Sequence, residues 1–448
     1  MDHLMPESYS LPTSKLKRSA ITSITAAKVG LKHVGHKTRS YWLSENEREL
    51  SQAEHEEKLG KLIFSALSQL RGTALKVSQL LSMEADILPA SIREQLKNAC
   101  YQVPPINRAL VRKQVVQELG SPPAELFKGF NPQAFAAASI GQVHRAVTTN
   151  NQLVAVKIQY PGIGATIESD LKLVEHLFKT LSKVSNLMPQ KQVRNLILKE
   201  MQDRLKDEID YEIEADNLSW FKQNTNLANI VIPDVLHEYS AKRVITFEML
   251  DGLHLDDWLA TNPDQQQRNH FGQLLFDFFW YSVFQLKRIN ADPHPGNFLF
   301  QSNGNLGVID FGCVRSLDEE FIESFSAMIP AVVDTFYHDQ KSDALFEIYR
   351  KLKFIGDNVT LEQFEQEIRP LLVPFALWFG EAYQQETFDF KNKSPCPGRP
   401  NSENNVAIKY LNGMYSEQLC FDRAHLGLMN LLTQLGAEIK TDWQKFRN

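Results

Sequence analysis

The sequence predicts an α+β chain of two lobes, the first built on short strands and the second predominantly helical, and three observations carry that reading. Residues 131–160 replace the helical spacing before them with strand-like runs, Ala134 to His144 and Leu153 to Gln159, set apart by the turn-forming Thr149-Asn150-Asn151. A further β-rich run, Arg243 to Met249, ends in Leu250-Asp251-Gly252 and marks the joint between the lobes. Beyond residue 253 the spacing is helical almost throughout, and Phe271 to Leu286 is apolar enough to lie inside a lobe. The expected division is a basic tail or membrane-surface segment over 1–50, a helical extension over 51–130, a small lobe with a helical insertion over 131–252, and a large helical lobe over 253–448.

Each part has its own signal. From Ser51 to Leu126 the apolar residues recur at helical spacing, as in Leu59, Leu62, Ile63, Leu67 and Leu70, with breaks at Leu88-Pro89 and Val103-Pro104-Pro105. Helices resume over about 163–223, and Ile230 to Val235 reads as extended. Inside the large lobe, Phe388 to Asn405 interrupts the helices, and Lys391 to Gly398 reads as an exposed loop. There is no internal repeat.

Composition bounds the class only loosely. The 448 residues, 43% of them hydrophobic, suffice for two or three cores, and a net charge of −6 implies no nucleic-acid partner. Cys100, Cys313, Cys396 and Cys420 show no metal-ligand spacing and no disulfide framework, which fits a reducing compartment. No apolar run reaches the roughly 18 residues of a spanning helix. Residues 8–44 contain no acid and carry Lys15, Lys17, Arg18, Lys28, Lys32, Lys37 and Arg39. Such a stretch suits a solvated tail, a segment resting on an anionic membrane through Ile21, Ile24, Leu31 and Val34, or a transit peptide. The expected setting is cytoplasmic, peripheral to a membrane, or an organelle reached by import.

The chemistry concentrates in two runs, Ala-Asp-Pro-His-Pro-Gly-Asn-Phe at 291–298 and Val-Ile-Asp-Phe-Gly at 308–312. They place Asp292, Asn297 and Asp310 at the spacing of a kinase active site. Asn297 and Asp310 offer the hard oxygens that Mg2+ prefers, and Asp292 is placed to orient a hydroxyl or water and accept its proton. Val154-Ala155-Val156-Lys157 supplies a strand lysine able to pair with the α- and β-phosphates of ATP. A buried lysine needs an acid to stay charged, and the acidic stretch Glu208 to Glu214 holds the candidates. Together these parts predict a protein-kinase-like fold, with Glu248, Met249 and Leu250 as the hinge whose backbone amides and carbonyls would bond the adenine.

Four further segments carry a resemblance. Arg71 to Gln79 (Arg-Gly-Thr-Ala-Leu-Lys-Val-Ser-Gln), Ala136 to His144 (Ala-Ala-Ala-Ser-Ile-Gly-Gln-Val-His), Glu208-x-Asp210-x-x-x-Glu214 and Asp292-Pro-His-Pro-Gly-Asn297 resemble the UbiB/AarF (ADCK) atypical kinase-like family over about residues 60 to 320. The resemblance implies nucleotide and Mg2+ binding and involvement in ubiquinone or related isoprenoid-lipid metabolism. It implies Lys157 as the nucleotide lysine, Glu214 as its helix partner, and Asp292, Asn297 and Asp310 as the catalytic and metal positions. Ala136, Ala137, Ala138 and Ser139 fall on the family's nucleotide loop. Glu208 and Asp210 fall on the acidic motif that secures the helical extension, and Lys76 and Gln79 on the extension's regulatory Lys-x-Gly-Gln motif, in which Ser78 here replaces glycine.

Two features point away from a peptide acceptor. An alanine-rich loop sets Cβ atoms where glycines would let the backbone wrap the phosphates closely. Only a few residues separate Gly312 from the helical pattern near Asp318, too few for a peptide-docking activation segment. The expectation is an ATPase or small-molecule kinase serving a lipid or quinone precursor, with quinone-biosynthesis proteins as partners. A true protein kinase and a nucleotide-binding scaffold are the competing readings.

Overall fold

The computed structural model describes residues 107–138, 140–166, 171, 172, 175, 191–397 and 416–447. The tail over 1–50, nearly all of the helical extension, and Lys76, Gln79 and Ser139 therefore lie outside the described residues. The small-lobe region runs through α1 (Arg108–Leu119), β1 (Gly129–Phe130), β2 (Ala136–Ala138), β3 (Gly141–Val147), β4 (Leu153–Gln159), α2 (Lys191–Glu208), α3 (Tyr211–Asn224), β5 (Ile230–Val231) and β6 (Val244–Glu248). Its antiparallel sheet has the order β1-β3-β4-β6, with β2 also paired to β3.

Strand β4 is covered on both faces, which is why every residue after Leu153 is buried and the run does not alternate in polarity. On one face Val154, Val156 and Ile158 meet Val111 and Val115 of α1 and Phe127. The side chain of Asn107 caps α1 by accepting from Ala109 N, and Gly120, at φ 80°, closes it in the left-handed conformation that glycine adopts without strain. This helix, expected in the extension, is thus part of the small-lobe core. The opposite face of β4 turns Ala155 toward Tyr211 and Ala215 of α3, with Ile245 and Phe247 of β6 alongside. Lys157 shares that face by the two-residue period of the strand.

The large lobe follows as α4 (Leu255–Ala260), α5 (Gln265–Phe284), β7 (Arg288–Asn290), β8 (Phe298–Phe300), β9 (Leu306–Val308), β10 (Val314–Ser316), α6 (Glu319–Tyr337), α7 (Asp343–Lys351), α8 (Arg369–Gly380), β11 (Thr387–Asp389), α9 (Ser416–Leu435) and β12 (Glu438–Lys440). Asp264 and Gln267 form a capping box at the start of α5. Within this helix Phe276 and Trp280 are wholly buried, in one core with Phe421 and Leu432 of α9. The two-stranded β7-β10 sheet and the three-stranded β5-β9-β8 sheet hold the segments that carry Asp292, Asn297 and Asp310.

Three placements depart from the sequence reading. Ile230–Val231, assigned to the small lobe, pairs in parallel with β9 of the large lobe, where Ile230 packs on the large-lobe core. Helix α3 belongs to both lobes: Tyr211 and Ala215 enter the small-lobe cluster, while Leu218 and Phe221 enter the large-lobe core. In the segment read as an exposed loop, Lys391, Asn392, Ser394, Pro395 and Cys396 are exposed as expected, but Lys393 is buried, and its Nζ donates to Trp378 O at 2.6 Å and Glu381 Oε2 at 3.2 Å. That lysine also lies 4.6 Å from the Trp378 ring centroid, so packing against α8 overrides the polar composition.

The hinge between β3, β4 and α3 is sterically tight at Gly141. A Cβ there would fall 2.5 Å from Ile158 O and 2.7 Å from Tyr211 Oη. Gly141→Ala is therefore expected to destabilise the fold by about 1–3 kcal/mol, the usual range for overpacking. Chemical denaturation with an unshifted midpoint would show that the hairpin relaxes freely.

Candidate active site

Lys157 stands in mid-strand on β4, paired with Val143 of β3 and Ile245 of β6. Its ammonium donates to both carboxylate oxygens of Glu214, at 2.7 and 2.9 Å, and to Asp310 Oδ2 at 3.1 Å. The Tyr211 ring lies 5.2 Å from the same nitrogen. Glu214 is brought there by the start of α3. Asp210 caps that helix by accepting from Glu212 N and pairs with Lys242 at 2.8 Å, while Tyr211 N donates to Lys242 O. Glu214 follows one turn later on the buried side.

Burial alone would lower the Lys157 pKa, but the carboxylates of Asp310 and Glu214 outweigh it and hold the group well above its ordinary value. Burial pushes the Glu214 carboxyl up to about 7, against the pull of Lys157 and with the push of Asp310. One cation is thus shared by two acids. Glu214 is the enclosed one, with a side chain 4% exposed, and Asp310, at 31%, faces the opening.

The loop that carries Asp292 and Asn297 lies between β7 and β8 and is held from several sides. Asn290 Nδ2 donates to Asp310 O at 2.6 Å, and Asn290 Oδ1 accepts from Asp292 N at 3.1 Å, so one side chain ties the two acidic segments together. Asn297 Nδ2 donates to Asp292 O at 2.8 Å, and Ile309 N donates to Asn297 O. With its nitrogen committed, the Asn297 side chain has its carbonyl oxygen left to offer a cation. Asp292 Oδ1 is buried and has no hydrogen-bond partner. From behind, Arg423 Nε of α9 donates to Ala291 O at 2.7 Å.

The Asp310-Phe311-Gly312 turn is fastened to α3. Phe311 is fully buried, with its ring centroid 4.5 Å from that of Phe221, and Asn217 Nδ2 donates to Phe311 O. Gly312 N donates to Asp310 Oδ1 at 2.9 Å, which orients the carboxylate. The chain then enters β10 at once, with Val314 opposite Asn290, and Asp318 caps α6. The short segment expected after Gly312 is therefore consumed by strand pairing. Arg315 in β10 pairs with Asp207 at 2.8 Å and Glu200 at 3.4 Å, both on α2, and Cys420 Sγ donates to Glu200.

The expected residues Lys157, Glu214, Asp292, Asn297 and Asp310 thus meet in one place. The strand-like reading of Ala134 to His144 holds at Ala136–Ala138: they are β2, paired residue by residue with Val143, Gln142 and Gly141 of β3, so the alanine-rich loop is a β-hairpin. Two other expectations change. Glu208 and Asp210 do not share one helix, because Asp210 is extended, at φ −120° and ψ 93°, and separates α2 from α3; the extension that Glu208 was expected to secure lies outside the described residues. At the hinge, the amides of Glu248 and Met249 already donate to Asp234 O and Leu153 O. Of the three amides expected at the hinge, two are therefore engaged within the fold. Asn290, Asn217 and Arg315 were not singled out beforehand; lone polar residues carry no spacing signal.

A family model described as the ABC1 atypical kinase-like domain matches residues 99–342, more than half of the chain. The probable serine/threonine-protein kinase abkA of Dictyostelium discoideum is 26% identical over 415 residues, 88% of this chain and 72% of that protein. The mitochondrial atypical kinase COQ8B of Danio rerio is 33% identical over 278 residues, 60% of this chain and 43% of that one. The mitochondrial atypical kinase COQ8 of Schizosaccharomyces pombe is 30% identical over 329 residues, 72% of this chain and 52% of that one. The chain thus spans about half the length, or less, of these two. The solved complex of Rv3197 with erythromycin from Mycobacterium tuberculosis superposes with a TM-score of 0.60 at 24% identity, over 90% of this chain and 100% of that one, a likeness of fold.

Two measurements probe this arrangement. Since the Glu214 pKa rises on folding from 4.5 to about 7, the folded protein binds more protons than the unfolded chain between those values. Its contribution is full below the lower value and is lost as pH rises through the upper one. Glu214→Gln cannot titrate, so the stability of the wild type relative to this variant should fall between pH 5 and 8; parallel melting curves against pH would contradict the assignment. Asn290→Ala removes a donor and an acceptor at once and should cost about 1–3 kcal/mol in chemical denaturation. Asn290→Asp keeps the acceptor for Asp292 N but sets a carboxylate oxygen against Asp310 O, and should cost at least as much.

Proposed function

The chain belongs to the ABC1 atypical kinase-like family, and from that premise we propose that it binds ATP with Mg2+ and transfers the γ-phosphate to a small or lipid-derived acceptor, or to water. The observation that carries this reading is the simultaneous contact of Lys157 with Glu214 and Asp310, beside Asn297 and Asp292. A scaffold without chemistry has no use for the full set.

Asp310 and the Asn297 carbonyl oxygen fit Mg2+, since both are hard oxygen donors and Asn297 has its nitrogen committed elsewhere. When bound, the metal neutralises phosphate charge. Lys157 grips the α- and β-phosphates, and Glu214 keeps it charged and aimed. Asp292 orients the attacking hydroxyl or water and takes its proton. The bond from that oxygen to the γ-phosphorus forms as the bond to the β,γ-bridging oxygen breaks, and ADP leaves.

The passage from Gly312 straight into β10 leaves no long segment on which a peptide would dock, which favours a small or lipid-derived acceptor. Support for ubiquinone or other isoprenoid-lipid metabolism comes from the relatives named COQ8, whose names also place them in mitochondria. Partners would be quinone-biosynthesis proteins and a membrane surface met through the basic residues 8–44. Among the described residues no helix is long and apolar enough to cross a membrane.

Phosphate release measured with and without vesicles tests the proposal. Asp310→Asn should lose Mg2+-dependent nucleotide binding in a thermal-shift titration, and unchanged affinity would sink the metal assignment. Asp292→Asn should keep binding while turnover falls by a factor of about 10² or more. Phosphate appearing on added proteins instead of in solution would favour a protein kinase.

A further inference from the structure

The ammonium of Lys157 has a third neighbour besides its two acids. It lies over the face of the Tyr211 ring, 5.2 Å from the centroid, inside the roughly 6 Å at which a ring's negative face attracts a cation. Tyr211 opens α3 and Glu214 follows three residues later, so one helical turn presents a ring and a carboxylate to the same nitrogen. Tyr211 is 2% exposed, its side chain packs with Ala155, Ile245 and Phe247, and its backbone N–H donates to Lys242 O at 2.9 Å. The ring therefore has little freedom to leave the ammonium. Its hydroxyl does not hold it there, since Oη is buried without a hydrogen-bond partner.

The three neighbours are not equivalent. Asp310 is the acid at the opening, 31% exposed, and the one assigned to Mg2+. A carboxylate that binds a divalent cation has less charge to offer an ammonium, so the 3.1 Å contact with Asp310 is the one that weakens. Glu214 and the Tyr211 ring remain. We propose that Tyr211 is a positioning residue for Lys157, its ring face keeping the ammonium beside Glu214 and aimed at the α- and β-phosphates while Asp310 serves the metal. Burial strengthens such an attraction, because no water competes for the cation. The part that concerns phosphates and metal rests on the reading given under Proposed function; the contact between ring and ammonium does not.

The test varies the charge on the ring face at nearly constant shape, in the full chain. Tyr211→Phe keeps the ring and removes a buried hydroxyl that has no partner, so it should fold with at least the stability of the wild type. Phenylalanine carrying one, two or three fluorines, incorporated at the same position, then withdraws electron density from the ring in steps. Along that series the affinity for ADP with Mg2+ in a thermal-shift titration should fall stepwise, by about tenfold overall, and resistance to chemical denaturation should fall with it. In a Lys157→Met background the same series should leave stability flat, because no cation faces the ring. A stability series that is flat with Lys157 present, or that falls equally in Lys157→Met, would overturn the proposal by showing that the ring only fills space. An ADP affinity unchanged along a falling stability series would overturn the positioning role. No ADP binding by the wild type would instead refute the reading under Proposed function, with the two stability series still deciding whether the ring holds the ammonium.

Discussion

The buried ammonium of Lys157 is the constraint around which the two lobes are arranged. An ammonium taken out of water is tolerable only if opposite charge meets it at close range. Here the two acids come from far apart in the chain, Glu214 from a helix and Asp310 from the turn after β9. The sheet, the helix and the large-lobe turn are therefore fixed relative to one another by one charge. Two carboxylates around one cation leave an excess of negative charge, and the more exposed acid, Asp310, is the one facing the opening. That is the electrostatic condition that a hard cation, were one bound there, would relieve.

Helix α3 converts this local pairing into a property of the whole fold. Its first half is packed against β4, and its second half sits in the large-lobe core, where Phe221 meets Phe311. Rotation of one lobe against the other would have to break the ion pair, the Asn217 bond to Phe311 O and the ring contact together. The strand after Gly312 is restrained in the same way, since Arg315 is paired with two acids of α2. The site is thus assembled by contacts of the folded chain, with no long segment between Gly312 and α6 to be ordered first.

How legible this was in the sequence depended on how locally each function is encoded. The meeting of Asp292, Asn297 and Asp310 was legible because their types and spacing are confined to a short stretch, and Lys157 because its strand is an apolar run with one charge. Glu214 could be picked out from its acidic neighbours only with the family pattern in view, since burial and not sequence separates it from Glu212, which is exposed. The alanines at 136–138 were legible as part of a strand-like run, but their register against Gly141 to Val143, which makes the run a hairpin, lies in the partner strand. The partners of β5, more than seventy residues away, and of Asn290, twenty residues away, leave no mark in the local pattern.

The same distinction explains what stands behind the loop that carries Asp292 and Asn297. Its residues lie within the stretch matched by the family model, 99–342, but the wall they lean on is α9, which lies beyond it. Arg423 holds Ala291 O, and a Cβ on Gly427 would come within 2.0 Å of Pro293 Cγ, so the helix backbone and the loop are in direct contact there. Where α9 and α5 draw apart beside this contact, the space between them borders Asp292. The loop is thus backed, where Gly427 and Arg423 press on it, by a helix that the family model does not reach, so its placement depends on packing as well as on its own sequence.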